Sequence, residues 1–368
     1  MEKCRYPVLD VNLDAVAQNA KCFCDLCGSY GIRVAGVVKF SDGDVNIAEA
    51  YTRGGCAQIA VSRAVHLKAI KEAHPHIQTL LTRTPTMGDM EEAARYGDLI
   101  LCTAEASLRA LDAAAAQWGT RPGVLLMLDV GDLREGVDNI GELCRLAVLV
   151  EKELPHLCLK GVGSALACLS GVLPSWENLS FLVEGVEAVE ARIGRKLEII
   201  SGGSSINLIL LKDGSNKMPS RINHLRLGGS IANPMNIRIN RGVVLPGLRE
   251  DSMTLTAEIV EICEKDSAPK VSTLNWAGEK ITAQDKGRRL RAIVALGSQD
   301  VADAKKLLPV EPGVQVVGCS SDHTILDITD SPRKWQIGDT VTFELRYDNM
   351  LTAFSGKHVA IRYYHDQN

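Results

Sequence analysis

The chain has 368 residues, 46% hydrophobic and 23% charged, the balance of a globular protein with apolar material for about two domains. Lys+Arg 41 against Asp+Glu 45 leaves a net charge of −4, without the basic excess that neutralises a phosphate backbone, so no nucleic-acid partner is expected. No apolar run approaches the ~18 residues of a membrane span, and the opening MEKCRYPVLDVNLD lacks a signal-peptide core, so a cytoplasmic protein without a membrane partner is expected.

The segment around Cys22, Cys24 and Cys27 reads as an amphipathic helix, with Val16, Ala20, Phe23 and Cys27 on one side. It holds the only cluster among eleven scattered cysteines. No second C-x-x-C or His pair completes a metal set, so reduced structural thiols are expected and no metal. Strand-like runs then alternate with helical patterns. The strands are Val34–Phe40, Gln58–Arg63, Gln78–Arg83, Asp98–Thr103, Val124–Val130, Leu157–Val162, Leu197–Ser201 and His224–Leu227. The helices between them are Asn46–Thr52, Ala64–Ala73, Met87–Tyr96, Ser107–Trp118, Asn139–Glu153, Glu177–Ile193 and a short one at Ile206–Leu211, with an eighth after Ile231. Near-continuous Val/Ile/Leu marks parallel strands buried on both faces. Eight such units predict a (β/α)₈ barrel of the TIM type over residues 10–240.

The pattern changes after Arg241. Thr254–Ile262, Arg291–Leu296, Val314–Val317, Thr324–Ile328, Thr340–Tyr347 and Val359–Tyr364 read as strands separated by Pro, Gly and Asp. They predict a mostly antiparallel β domain over residues 241–368, joined by residues 1–9. The fold class is therefore α/β, a barrel followed by a β domain.

Functional groups of a barrel sit at the C-terminal ends of its strands. Lys39 closes the first. Burial there would lower a lysine's proton affinity and free its amine for Schiff-base formation; the alternative is a lysine that snorkels to solvent. Arg63 and Arg83 end the next two. Asp129 and Arg134 follow the fifth, in LDVGDLREG, where Glu135 and Asp138 read as solvated charges. The seventh ends in Ser201-Gly-Gly-Ser-Ser205 and the eighth in Arg226-Leu-Gly-Gly-Ser230. Two adjacent turns rich in Gly and Ser offer free backbone N–H groups to a phosphate. With a mouth lysine they suggest pyridoxal 5′-phosphate. Arg226 lies two residues before the second glycine pair. Placed at the pyridine nitrogen it would leave that nitrogen unprotonated, which suits proton removal and return at Cα; the alternative is a structural salt bridge.

These residues resemble a known family. PVLDVNLDAVAQNA, GVVKFSDGDVNIAEA, LDVGDLREGV, SGGSSINL, LRLGGSI, ALGSQDV, VVGCSSDHTILDI and LRYDNML occur in the order of a fold-type III pyridoxal-phosphate enzyme of the alanine racemase superfamily, nearest its ornithine-racemase-like branch. The resemblance implies that Lys39 carries the cofactor and acts as one of two bases. It implies that Arg134 sits near the substrate carboxylate and the cofactor's phenolic oxygen, that Ser204, Ser205, Gly228, Gly229 and Tyr347 hold the phosphate, and that Arg226 meets the ring nitrogen. It implies a homodimer in which the β domain of one chain caps the barrel of the other, bringing Asp322 to the site.

Three positions depart from the pattern. Ser298 follows Gly297 where alanine racemases carry a tyrosine base and the ornithine branch usually an arginine. Ala165 stands where that branch commonly has asparagine, and Gly43 near a phosphate-binding tyrosine. Asp322, His323 and Ser298 are the catalytic candidates of the second domain; His323 or Cys319 is an alternative second base. The function expected is racemisation of ornithine or a related basic amino acid. The competing readings are a basic-amino-acid decarboxylase, which pairs the ring nitrogen with a carboxylate, and a non-catalytic cofactor-binding protein.

Overall fold

In the computed structural model, residues 5–271 and 284–367 are described. Contacts divide the chain into two compact units: Leu13–Ser252 with Asp366–Asn368, and Met253–His365 with Met1–Asn12.

The first unit is the barrel. After α1 (Leu13–Gly28), eight parallel strands close on themselves: β2 (Arg33–Val37), β3 (Gln58–Val61), β4 (Thr79–Leu81), β5 (Leu99–Leu101), β6 (Gly123–Met127), β7 (Cys158–Gly163), β8 (Ile199–Ser204) and β9 (His224–Leu227). Strand β1 (Val8–Asn12) belongs to the other unit. The helices α2 (Val45–Arg53), α3 (Ala64–Ala73), α4 (Met90–Tyr96), α5 (Glu105–Trp118), α6 (Ile140–Glu153) and α7 (Trp176–Ile193) follow strands β2 to β7. Ala35, Leu80, Leu125 and Ile199 meet in the barrel interior, all under 8% exposed. Alternating small and large side chains fill it, as a closed eight-strand barrel requires. Gly36 admits Tyr51 of α2 against the strand; a Cβ there would lie 2.4 Å from the Tyr51 ring.

The helices after β8 and β9 differ from expectation. Ser205–Leu210 is a 3₁₀ helix rather than an α-helix. The eighth is split into α8 (Gly229–Ala232) and α9 (Met235–Arg241), with Pro234 between them. The barrel unit also runs to Ser252, past the expected division at 241. Asn19 of α1 explains this: its amide bonds the carbonyl and the N–H of Arg249 at 2.8 and 2.7 Å. Ser252 adds a bond to the Ala232 carbonyl at 2.6 Å.

The second unit holds, among the described residues, an eight-stranded, mostly antiparallel sheet. Its strands are β1, β10 (Met253–Asp266), β11 (Arg288–Val294), β12 (Leu308–Pro309), β13 (Gln315–Cys319), β14 (Thr324–Asp327), β15 (Thr340–Glu344) and β16 (Ala360–Tyr364). β1 pairs antiparallel with β10 and parallel with β16, which ties the N-terminal segment into this sheet. One expectation is corrected here. β15 ends at Glu344, and Tyr347 opens helix α10 (Tyr347–Ser355) instead of ending a strand. The Arg346 N–H donates to the Asn349 side chain at 3.2 Å and turns the chain into that helix.

Candidate active site

β2 ends two residues before Lys39, which starts a one-turn 3₁₀ helix, Lys39–Ser41. The amides of Ser41 and Gly43 both donate to the Val38 carbonyl at 3.2 Å and turn the chain across the mouth. Val38 and Phe40 are buried, whereas Lys39 between them is exposed. The burial expected for Lys39 is therefore not found in the barrel unit. Among the described residues its amine has no hydrogen-bond or ion-pair partner.

β9 lies beside β2, with Leu227 opposite Gly36, so the Gly228 turn emerges next to Lys39. Gly228 is pressed against β2: a Cβ there would lie 3.3 Å from the Val37 carbonyl oxygen. The Ser205 and Ser230 hydroxyls are 2.7 Å apart, and the Gly228 N–H reaches Ser205 Oγ at 3.3 Å. Ser204 is half-buried and ends β8 beside them. Two hydroxyls and a backbone N–H converge without a carboxylate among these contacts, a donor set suited to a phosphate group. Tyr51, fully buried, donates its hydroxyl to the Gly228 carbonyl at 3.0 Å and braces the turn from behind.

Arg226 projects from β9 and is only 7% exposed. Its Nη2 donates to the Ser164 carbonyl at 2.7 Å and its Nη1 to Ser201 Oγ. Among the described residues no carboxylate pairs with it, so the salt-bridge alternative fails. Burial pulls its guanidinium down to about 10, opposed by the charge of Glu135. Ala165 belongs to the apolar interior, and Ser164, just after β7, reaches Arg226 through its backbone carbonyl.

Behind Arg226 the chain of bonds continues. Ser201 Oγ lies 2.9 Å from His224 Nδ1, and His224 Nε2 lies 3.1 Å from Gln58 Oε1. Ser201 accepts from Arg226 and gives its own proton to Nδ1, which leaves Nε2–H to donate to Gln58. His224 is thus neutral, and burial, aided by Arg226 and Arg33, holds it down to about 3. The unfolded imidazole titrates near 6.5. As pH falls below about 6.5 the unfolded chain gains a proton that the folded chain refuses. Stability should drop from there toward about pH 3, by up to about 1.4 kcal/mol per pH unit for this one group. Denaturant melts of the protein and of His224→Gln between pH 7 and 5 check this: the variant should lose that part of the slope. Equal slopes would refute it.

Arg134 lies on the loop after β6 and is exposed. Its Nε and Nη2 both donate to the Glu135 carboxylate, and this pair holds the guanidinium above its ordinary value. Glu135 is therefore no free solvated charge. Asp132, 1% exposed, accepts the amides of Cys168, Leu169 and Ser170 at 3.1, 3.1 and 3.2 Å and joins this loop to the one after β7.

The remaining candidates lie on the β unit. The Ser298 amide and hydroxyl both donate to the Ser320 carbonyl, at 3.0 and 3.2 Å, and the Gln299 amide to Ser321. Ser298 is thereby brought beside the exposed Asp322–His323 turn that joins β13 to β14. Its hydroxyl proton is committed to a carbonyl. Tyr347 is half-buried at the start of α10.

Sequence reasoning missed Tyr51, Ser201, Ser230, His224 and the pairing of Glu135. Only Ser201 and Ser230 carried a signal, as members of the Gly/Ser turns. Barrel, appended antiparallel unit and mouth lysine define the fold-type III architecture. The alanine racemase N-terminal domain family matches residues 11–232. A lysine racemase of Thermotoga maritima is 32% identical over 361 residues, covering 96% of this chain and 97% of that protein. An ornithine racemase of Acetoanaerobium sticklandii is 30% identical over 362 residues, covering 96% and 98%. The alanine racemase of Streptomyces lavendulae superposes with a TM-score of 0.76 at 18% identity, over 100% of this chain and 99% of that one, a likeness of fold. The chain belongs to the alanine racemase family, on its ornithine-racemase-like branch, and is an amino-acid racemase, an isomerase. The decarboxylase reading is not favoured.

Proposed function

We propose that the enzyme interconverts the L and D forms of ornithine or a related basic amino acid, with pyridoxal 5′-phosphate as cofactor. The observation that carries the reading is a lysine without a partner among the described residues, beside an anion cradle of Ser205, Ser230 and the Gly228 N–H, with a buried arginine two residues before Gly228 that pairs with no described carboxylate. The relatives named for lysine and ornithine racemisation support the substrate class. Bound there, the cofactor supplies an electron-withdrawing ring that acidifies the substrate's Cα proton. Ser204, Ser205, Ser230 and the amides of Gly228 and Gly229 hold its phosphate, and Tyr347 joins them. Arg226 donates to the ring nitrogen. Arg134 holds the substrate carboxylate, and Lys39 anchors the cofactor and moves the Cα proton on one face.

The opposite face needs a second base. Ser298 gives its proton to a carbonyl, so Asp322 and His323 are the better candidates. In the proposed homodimer the β unit of one protomer caps its partner's barrel. No helix among the described residues is long and apolar enough to cross a membrane. A cytoplasmic site of action fits scattered cysteines without a disulfide framework.

Incubation with L-ornithine, L-lysine and L-alanine tests the reading. Chiral analysis should show D-ornithine or D-lysine forming faster than D-alanine, without CO₂. Release of CO₂, or a preference for alanine, would overturn it. Sedimentation should show a dimer whose dissociation on dilution parallels loss of activity; a fully active monomer contradicts the capping arrangement.

A further inference from the structure

The loop after β6 fixes its backbone and leaves two side chains free to rearrange. Asp129 Oδ1 accepts the amides of Gly131 and Leu133 at 2.9 and 3.2 Å. The Asp129 amide donates to Val137 at 2.8 Å, and the Val137 amide to Met127 at 3.0 Å. Leu133 is held in the left-handed region, at φ 58. Asp132 clamps the loop's middle to three amides of residues 168–170. On this frame Arg134 and Glu135 neutralise each other through two hydrogen bonds, with side chains 40% and 32% exposed.

An arginine that is to receive a substrate carboxylate already holds one. Substrate must displace Glu135 before it can dock. A half-exposed pair on adjacent residues is weakly held, so the exchange is feasible. Its outcome depends on the substrate's far end. A neutral side chain would bring no cation to replace Arg134 as the partner of Glu135. A diamino acid brings its own cation. Its carboxylate takes Arg134 while its distal ammonium takes the released Glu135, so charge stays balanced throughout.

We infer that Glu135 selects basic substrates by this exchange: the Arg134–Glu135 ion pair opens, and two pairs to the substrate replace it. The inference rests on the proposed role of Arg134 and on the basic-substrate reading. It assigns Glu135 as a specificity-determining residue, where the sequence suggested only a solvated charge.

The test compares holoenzyme with Glu135→Gln and Glu135→Asp on L-ornithine and on L-norvaline, its neutral counterpart without the distal amine. The ratio of kcat/KM for ornithine to that for norvaline should fall about 10- to 100-fold in Glu135→Gln, the worth of one charge-assisted contact. Norvaline turnover should rise, because Arg134 no longer surrenders a carboxylate. Glu135→Asp should recover part of the ratio. A second readout needs no turnover: the rise in melting temperature given by saturating ornithine should shrink in Glu135→Gln, and that given by norvaline should grow. An unchanged ratio, or equal losses on both substrates, refutes the exchange and leaves the racemase reading standing. An unmodified enzyme inactive on ornithine and lysine refutes the basic-substrate reading and the inference with it.

Discussion

Lys39→Ala should lower racemisation of L-ornithine by about 10⁴-fold or more, the upper range for a positioned acid–base group. The loss is large because the proposed mechanism gives one amine two tasks, anchoring the cofactor and moving the Cα proton. The geometry makes the variant a clean test. Lys39 is exposed and has no hydrogen-bond or ion-pair partner among the described residues. Removing it should change folding stability by no more than about 0.5 kcal/mol, as for other surface positions. The purified protein should be yellow, with a visible band that borohydride abolishes and that Lys39→Ala lacks. A band that persists in the variant, or full activity without the lysine, would sink the assignment. Normal melting with no visible band and no activity is the expected combination.

Much of the barrel is legible in the sequence because its physics is local. A parallel strand covered on both faces reads as an unbroken apolar run, and Gly123–Met127 is buried at every position. The polar residue that ends such a run must emerge at the mouth, which is how Lys39 and Arg226 are found. Short 3₁₀ helices are less legible. Lys39–Ser41 and Ser205–Leu210 are too short or too tightly wound for a 3.6-residue period to show. Tyr347 fails for a related reason: the alternation of Thr340–Glu344 runs on smoothly in the sequence, and only the Arg346–Asn349 bond shows where the strand stops. Val8–Asn12 is five buried residues whose partners, β10 and β16, lie some 240 and 350 positions away.

The residues that brace the site from behind are nonlocal in the same way. Tyr51 meets Gly228 across 177 residues, and His224 meets Gln58 across 166. Nothing in either neighbourhood announces the other. Glu135 is a different case, since its partner is the next residue. Its proximity to Arg134 was plain in the sequence, but whether the two side chains turn toward each other depends on the backbone that Asp129 and Asp132 impose.

Arg226→Glu should slow racemisation by at least about 10²-fold, the cost of losing one preorganised donor at a reacting group. Arg226 sits in the barrel, and among the described residues no carboxylate is paired with it. Burial pulls its guanidinium down to about 10, which still leaves it protonated at neutral pH. In the proposed mechanism it would donate a hydrogen bond to the ring nitrogen and keep its proton. Ser201 and the Ser164 carbonyl hold the fork in place, and neutral His224 behind Ser201 adds no competing charge. With the bound cofactor's nitrogen unprotonated, negative charge left by Cα deprotonation would stay near Cα, which would favour return of the proton there over side reactions. A glutamate offers the nitrogen a proton and lets that charge spread into the ring. The variant should then build a long-wavelength band during turnover that the unmodified enzyme lacks, and its substrate should more often pass its amino group to the cofactor, leaving a keto acid. Arg226→Lys controls for charge: it keeps a cation without the planar fork and should slow the reaction without the new band. The new band in Arg226→Glu, together with its absence in the lysine variant, identifies the ring nitrogen as the group Arg226 controls. A strong long-wavelength band already present in the unmodified enzyme would show instead that the nitrogen is protonated and that Arg226 acts elsewhere.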